Sequence, residues 1–273
     1  MKLFLDSAIL SEIEAVYAAG VCDGITMNPS LVKQAVDKLK AKGEKVSLES
    51  YIKKALKIAK GTPVSLEVTE RDFKGMVAQG KKIFKKFNPV AKNVFIKIPV
   101  NPSFEGEKRK EFDGIMAIRE LRKAKIPVNC TLIFTPEQAL LAAKAGANFV
   151  SPFAGRVDDL LRKRQGIEFG KEDYYPAKGL LIDGKAVEDN GIVSGVDLIA
   201  QTVQVFRQHG ITKTEVLAAS MRNARQVREA ALAGAGISTM GFETFKELAS
   251  HRLTLEGMKK FTEDAPEEYR KIV

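Results

Sequence analysis

A lysine inside a run of β-branched and aromatic residues is the first feature of this chain that could do chemistry. Lys97 lies in Val94–Val100 (VFIKIPV), preceded by Asn93 and closed by Pro99, a composition and length that predict a buried strand. Burial disfavours an ammonium. Such a lysine either meets a carboxylate or gives up its proton and becomes an amine nucleophile, the species that forms a Schiff base with a carbonyl. The alternative is a side chain that lays its methylenes along the sheet and reaches water with its head. What the rest of the chain brings to the same face decides between them.

Side chains alternate across a strand, so parity sorts the candidates. In VFIKIPV, Phe95 and Lys97 share one face and Val94, Ile96 and Ile98 the other. Similar runs set Phe4 and Asp6 against Leu3 and Leu5, Thr26 and Asn28 against Ile25 and Met27, and Ser65 and Glu67 against Val64, Leu66 and Val68. Further on, Asn129 and Thr131 oppose Val128, Cys130 and Leu132; Phe149, Ser151 and Phe153 share a face; and Ser220 ends the even-numbered face of a later strand. One parity is apolar throughout, and the other turns polar toward the C-terminal strand ends. If the polar parity faces inward, Asp6, Asn28, Glu67, Lys97, Asn129, Thr131 and Ser151 converge. Each also has a structural reading: Asp6 as a helix cap, Asn28 as a turn residue before Pro29, Thr131 as a core hydrogen bond, Glu67 as a plain counter-ion of Lys97. Agreement of seven residues in parity and height favours a lysine-centred site. Arg156 and Arg222 follow strand ends in SPFAGR and ASMR. With Ser220 and the N–H groups of the following helix they would make a phosphate-sized anion site.

These residues need elements to hold them. Strand signals recur at 2–6, 24–28, 63–68, 94–98, 128–133, 148–153, 216–220 and 237–241, eight in all. Between most of them lie amphipathic stretches of helical length: 7–19, 30–60 as two helices, 71–87, 106–123, 135–145, 193–209 and 222–233, with a helical tail over 242–271. Eight strands alternating with helices predict right-handed βαβ units closed into a (β/α)8 TIM barrel, a single α/β domain over 1–273 with additional C-terminal helices. Glycine-bearing turns such as AAGVCDG, AAKAGANF and ALAGAGIS fit helix ends feeding the next strand. Two stretches break the rhythm, 101–112 and 162–191, and both fall on the face where barrel active sites are built, as lids or as tolerated insertions.

Composition excludes other classes. At 45% hydrophobic content over 273 residues the chain can bury a large core. No run is long enough for a membrane span, and KLFLDS lacks the features of a signal peptide, so a cytoplasmic, membrane-free protein is expected. Two cysteines and two histidines argue against a disulfide framework, a metal cluster or histidine-centred catalysis, and no cofactor is expected. A formal charge of +10 with KLKAKGEK, KKIFKK and RKRQ raises the possibility of nucleic acid. The basic residues alternate with apolar or acidic ones at helical spacing, without a recognition helix or stacking aromatics. A solvated helix face and an anionic small substrate, with no nucleic acid, are the expectation.

In chain order, LFLDSA, GITMNPSLV, VSLEV, VFIKIPV, NCTLIF, SPFAGR and ASMRN resemble the transaldolase family, in particular its short branch, which includes fructose-6-phosphate aldolases. The resemblance covers nearly the whole chain. It implies a metal-free class I aldol mechanism with Lys97 as the Schiff-base residue and Asp6 as acid/base for the carbon–carbon step. Glu67 would act through a water with Thr131, Asn28 and Asn129 would hold substrate hydroxyls, and Ser151 would lie beside the Schiff base. Arg156, Ser220 and Arg222 match the phosphate-binding positions. A dihydroxyacetone unit would pass from a ketose phosphate (sedoheptulose 7-phosphate or fructose 6-phosphate) to an aldose phosphate in the pentose phosphate pathway. Where the family's aldolases carry Gln and Tyr, this chain has Glu67 and Phe153, which favours the transferase over aldolase-type cleavage. TMNPS replaces the commoner TTNPS, and the two long stretches make the chain longer than short-branch members, so another ketose, such as a sulfosugar, is an alternative substrate. The resemblance and the C-terminal helices also imply a homo-oligomer. An inactive barrel would need a missing site residue, and none is missing.

Overall fold

The computed structural model describes residues 1–41, 43, 45–107 and 110–272. Its elements run β1 (Lys2–Asp6), α1 (Leu10–Ala18), β2 (Gly24–Thr26), α2 (Pro29–Ala41), α3 (Leu48–Ile58), β3 (Val64–Glu67), α4 (Phe73–Ala91), β4 (Val94–Pro99), α5 (Asp113–Lys123), β5 (Val128–Ile133), α6 (Pro136–Lys144), β6 (Phe149–Pro152) and α7 (Ala154–Arg164). A small antiparallel pair, β7 (Leu181–Ile182) and β8 (Lys185–Ala186), precedes α8 (Gly195–Gln208). The chain closes with β9 (Glu215–Met221), α9 (Ala224–Leu232), β10 (Ile237–Met240), α10 (Phe242–Glu247), α11 (Arg252–Asp264) and α12 (Glu267–Arg270).

Strands β1 to β6, β9 and β10 form one closed barrel, every neighbouring pair parallel. This is the expected (β/α)8 TIM barrel with extra C-terminal helices. The alternation of the sequence sorts its side chains into two cores. Leu5, Ile25, Val64, Leu66, Val94, Ile96, Ile98, Val128 and Val150 pack outward against the helices. Phe4, Phe149, Leu217, Ala219 and Ile237 fill the barrel, with Phe95 and Phe153 against them. Phe95 stacks on Phe149 with centroids 4.8 Å apart, and Phe4 meets Phe149 edge-on at 6.0 Å. Aromatic rings plug the lower barrel, so the polar residues of the same parity are left at the C-terminal mouth.

Several local expectations are corrected. Residues 154–164 form α7, a helix the periodicity did not single out, because its first turn follows directly from the β6 strand end. Within RKRQ, Arg162 is not solvated: it is buried and stacks against Phe169 and Tyr175. Helix α5 begins at Asp113 rather than 106, and Lys108 and Arg109 of the preceding stretch lie outside the described residues, as do Lys42 and Glu44 of KLKAKGEK and the terminal Val273. β2 ends at Thr26, and Asn28 instead accepts the Leu31 N–H at 3.0 Å and so starts α2. The tail divides into α10, α11 and α12. Of these, α10 packs Phe245 into the outer core, whereas α11 buries none of its residues.

The two long stretches have different fates. In 101–112, Phe104 and Glu107 both engage Arg71, ring face and carboxylate respectively, which draws the loop sideways onto the β3–α4 connection. The segment after α7 builds a satellite core, Tyr175, Val187 and Ile192 against Val157, Leu161 and Leu198. It is a packed strap over α7 and α8.

Candidate active site

Lys97 is held where the sequence reading requires. Its side chain is 7% exposed, and Nζ lies 3.1 Å from Glu67 Oε2, itself 16% exposed. Register explains the meeting: Glu67, Lys97 and Asn129 are direct neighbours across β3, β4 and β5. At 5.8 Å from the Lys97 ammonium lies the ring of Phe153, which meets Phe134 in turn. The lysine thus has one carboxylate and one aromatic wall as neighbours, and removing the carboxylate would leave its buried head without a partner.

Around this pair the mouth is a network of short polar side chains. Thr26 Oγ1 donates to Asp6 Oδ1 at 2.7 Å and shares a second 2.7 Å bond with Thr239. Asp6 is thus held by a hydroxyl pair from the strands on either side of β1 and does not cap α1. Ser151 Oγ donates to Asn129 Oδ1 at 2.7 Å, and Asn129 Nδ2 donates to Ser65 Oγ at 3.1 Å. Asn129 is fully buried, so its amide orients Ser151 and does not line the open cavity. Thr131 is also fully buried, and its hydroxyl has no hydrogen-bond partner. Thr131 pairs with Pro99, two residues beyond Lys97 along β4, and like Asn129 it is not part of the cavity lining.

The open cavity, about 690 Å³, is lined by Asp6, Thr26, Asn28, Lys97, Ser151 and Phe153 on the barrel side. Toward the rim stand Arg156, Asp159, Lys163, Lys171, Ser220 and Arg222. Five basic groups face two carboxylates in this lining, so the cavity favours anions. Lys171 comes from the strap; no described residue of 101–112 reaches the cavity.

The rim is built by two backbone devices. Ser220 has φ 61°, a left-handed conformation costly for a residue with a Cβ. Val216 and Ala218, of the same parity, face the helices; the reversal at Ser220 turns its hydroxyl into the cavity and sends Met221 outward. Simple alternation would have pointed Ser220 away. Gly155, in the first turn of α7, is the second device: a Cβ there would lie 2.2 Å from Ser220 O and 2.4 Å from Arg222 Nε. The Arg222 side chain therefore rests on bare backbone, and its guanidinium reaches Asp159 Oδ2 at 2.6 Å. Sequence reasoning gave Thr26 the inward parity without a role and passed over Thr239, whose parity was available as a signal, and Gly155 and Asp159, which only the packing of α7 against β9 reveals.

Fold and site together define an α/β barrel enzyme with a buried lysine–carboxylate pair at the C-terminal mouth and a basic rim. The family model for transaldolase/fructose-6-phosphate aldolase matches residues 3–272. A probable transaldolase of Chlorobaculum parvum is 38% identical over 265 residues, covering 97% of this chain and 98% of that protein. Probable transaldolases of Chlorobium phaeobacteroides and of an Anaeromyxobacter species are each 36% identical, covering 97% of this chain and 96% of their own length. The chain belongs to the transaldolase/fructose-6-phosphate aldolase family. Among the described residues no helix is long and apolar enough to cross a membrane.

Proposed function

We propose that the protein is a transaldolase that moves a dihydroxyacetone unit between sugar phosphates through a Schiff base on Lys97. The observation that carries this reading is the Lys97–Glu67 pair at 3.1 Å, whose buried lysine opens into a cavity with a basic rim. The Lys97 amine adds to the ketose carbonyl at C2, and the carbinolamine loses water to give an iminium. Glu67 is placed to receive the ammonium proton and return it to the departing hydroxyl through a water, with the unpaired Thr131 hydroxyl as second partner. The iminium draws electrons from the C3–C4 bond while Asp6 takes the proton of the C4 hydroxyl, and an aldose leaves. The remaining enamine attacks the acceptor aldehyde, Asp6 returns its proton, and hydrolysis frees Lys97. Asn28 faces the sugar hydroxyls, Asn129 acts by orienting Ser151, and Arg156, Ser220 and Arg222 take the phosphate.

Phe153 favours transfer over simple cleavage. Its ring stands beside Lys97 with no hydroxyl to hold a water, so the enamine is better shielded from protonation and release. The pentose phosphate pathway in the cytoplasm is the setting this chemistry fits. A homo-oligomer belongs to the same reading: α11 leaves Leu253, Leu255, Met258 and Phe261 exposed, a face suited to a second copy. Sedimentation showing a monomer at micromolar concentration would remove that part.

The test is borohydride trapping. With fructose 6-phosphate, reduction is expected to add a ketose-derived mass to the peptide carrying Lys97 and to inactivate the enzyme, and a saturated reaction without that adduct would refute the mechanism. Turnover is expected to need an acceptor aldehyde; rapid release of free dihydroxyacetone in its absence would favour the aldolase.

A further inference from the structure

Asp158 is the buried carboxylate for which the proposed reaction has no use. It is 2% exposed, on the side of α7 away from the cavity that its neighbour Asp159 lines. Its Oδ1 accepts the Gly195 N–H at the start of α8 at 2.7 Å, and its Oδ2 accepts Gln226 Nε2 at 2.6 Å. Gln226, also 2% exposed, is the third residue of α9; its own N–H is taken by the helix cap Asn223, and its Oε1 accepts the Arg222 N–H at 2.8 Å. The same kind of box starts α6, where Gln138 accepts the Phe134 N–H and Thr135 caps, but no residue described there fixes the glutamine's other end. At α9 the amide is bonded at both ends.

The polarity of that chain matters. An amide has one donor end and one acceptor end, and Arg222 presents only an N–H on this side. A carboxylate at 158 accepts and cannot donate, so it forces the Nε2 end of Gln226 toward itself and the Oε1 end toward Arg222. Two residues earlier the strand passes through left-handed Ser220, a conformation that persists only when its surroundings over-determine it. Asp158 thus fixes the main chain of Arg222, while Asp159 fixes its guanidinium at 2.6 Å.

We propose that Asp158, which touches no substrate, is the positioning residue that sets the anion grip of Arg222 by dictating the orientation of the Gln226 amide. The inference rests on the reading of the rim as the phosphate site. In Asp158→Asn, the introduced carbonyl keeps the Gly195 N–H and the introduced NH₂ faces Gln226, which flips and turns its own NH₂ onto the Arg222 N–H. One hydrogen bond is lost at the rim, enough to weaken anion binding about tenfold. In the double variant Asp158→Asn, Gln226→Glu, the carboxylate at position 226 accepts from both the amide introduced at position 158 and the Arg222 N–H, so the polarity is restored from the other side.

The experiment, at pH 8, measures inorganic phosphate binding by calorimetry, KM for fructose 6-phosphate, and borohydride trapping of Lys97 with unphosphorylated dihydroxyacetone. Expected for Asp158→Asn are phosphate affinity and KM both worse by about tenfold, kcat and dihydroxyacetone trapping unchanged, and recovery to within about threefold in the double variant. Unchanged phosphate affinity in Asp158→Asn, an equal loss of dihydroxyacetone trapping, or a double variant that stays weak or does not fold would each overturn the proposal. If the wild-type protein formed no Lys97 adduct at all, the transaldolase reading would fail while the phosphate titration still decided the role of Asp158.

Discussion

Replacing Gly155 by alanine sets two effects of known size against each other. In a helix, Gly→Ala is ordinarily stabilising by about 1 kcal/mol. Here the new Cβ would lie 2.2 Å from the Ser220 carbonyl oxygen and 2.4 Å from Arg222 Nε. Carbon and oxygen approach to roughly 3.3 Å even in their closest favourable contacts, so β9 and α7 must part by about 1 Å. The first obstacle is backbone, which cannot swing aside as a side chain does, and overpacking of this kind costs about 1–3 kcal/mol. Packing therefore wins, and the variant is expected to lose stability. The greater loss is functional: Ser220 and Arg222 move together, and a 1 Å error at a positioned group costs up to about 100-fold. Urea denaturation supplies the first number, and the ratio of fructose 6-phosphate turnover to dihydroxyacetone trapping on Lys97 supplies the second. Gly241→Ala is the control, since nothing lies within 4 Å of its Cβ and its φ is −65°. A Gly155→Ala protein as stable as wild type, with unchanged use of the phosphorylated substrate, would refute both the close packing and the proposed role of the rim.

Two further outcomes follow from the same geometry. Asp6→Asn keeps an oxygen for the Thr26 hydroxyl but removes the proposed base, so carbon–carbon cleavage is expected to fall by about 10²–10⁴ while borohydride still traps the intact ketose on Lys97; loss of that adduct in step with turnover would contradict the proposed division of labour. Asp158 is pushed up to about 7, chiefly by burial and helped by Asp159, against the Gly195 N–H and the charges of Arg162 and Arg222; Gln226 of α9 and the buried Tyr175 of the strap are further polar neighbours. Its folded-state value is raised, so the native state holds this proton more tightly than the unfolded chain between about pH 4 and pH 7. The contribution is full below pH 4 and is lost as pH rises through 7, at most about 4 kcal/mol. Relative to Asp158→Asn, the melting temperature of the wild type should fall from pH 5 to pH 8, and parallel curves would show that the carboxyl does not titrate in this window.

Much of the site was written in alternation. A period of two along β1, β3, β4, β5 and β6 placed Asp6, Glu67, Lys97, Asn129, Thr131 and Ser151 on one face, and a parallel barrel brings equal heights of neighbouring strands together, so the Lys97–Glu67 contact followed from register alone. Alternation failed at Ser220, because a left-handed residue reverses it and no local signal in ASMRN announces that reversal. It also said nothing of α7, whose amphipathic character is split between a buried Asp158 and a cavity-facing Asp159.

The sequence by itself determined the barrel, the lysine in its fourth strand and the arginines that follow the β6 and β9 strand ends, because each depends on periodicity, composition or order along the chain. The tertiary structure alone decided how the rim is held: that Arg222 lies across Gly155, that Asp159 holds its side chain and Gln226, bonded in turn to Asp158, its main-chain N–H, and that Asn129 is sealed beneath Ser151. Those relations join residues up to 68 positions apart through the packing of α7 and α9 on β9. Their geometry is set by closure of the barrel, which no local pattern encodes.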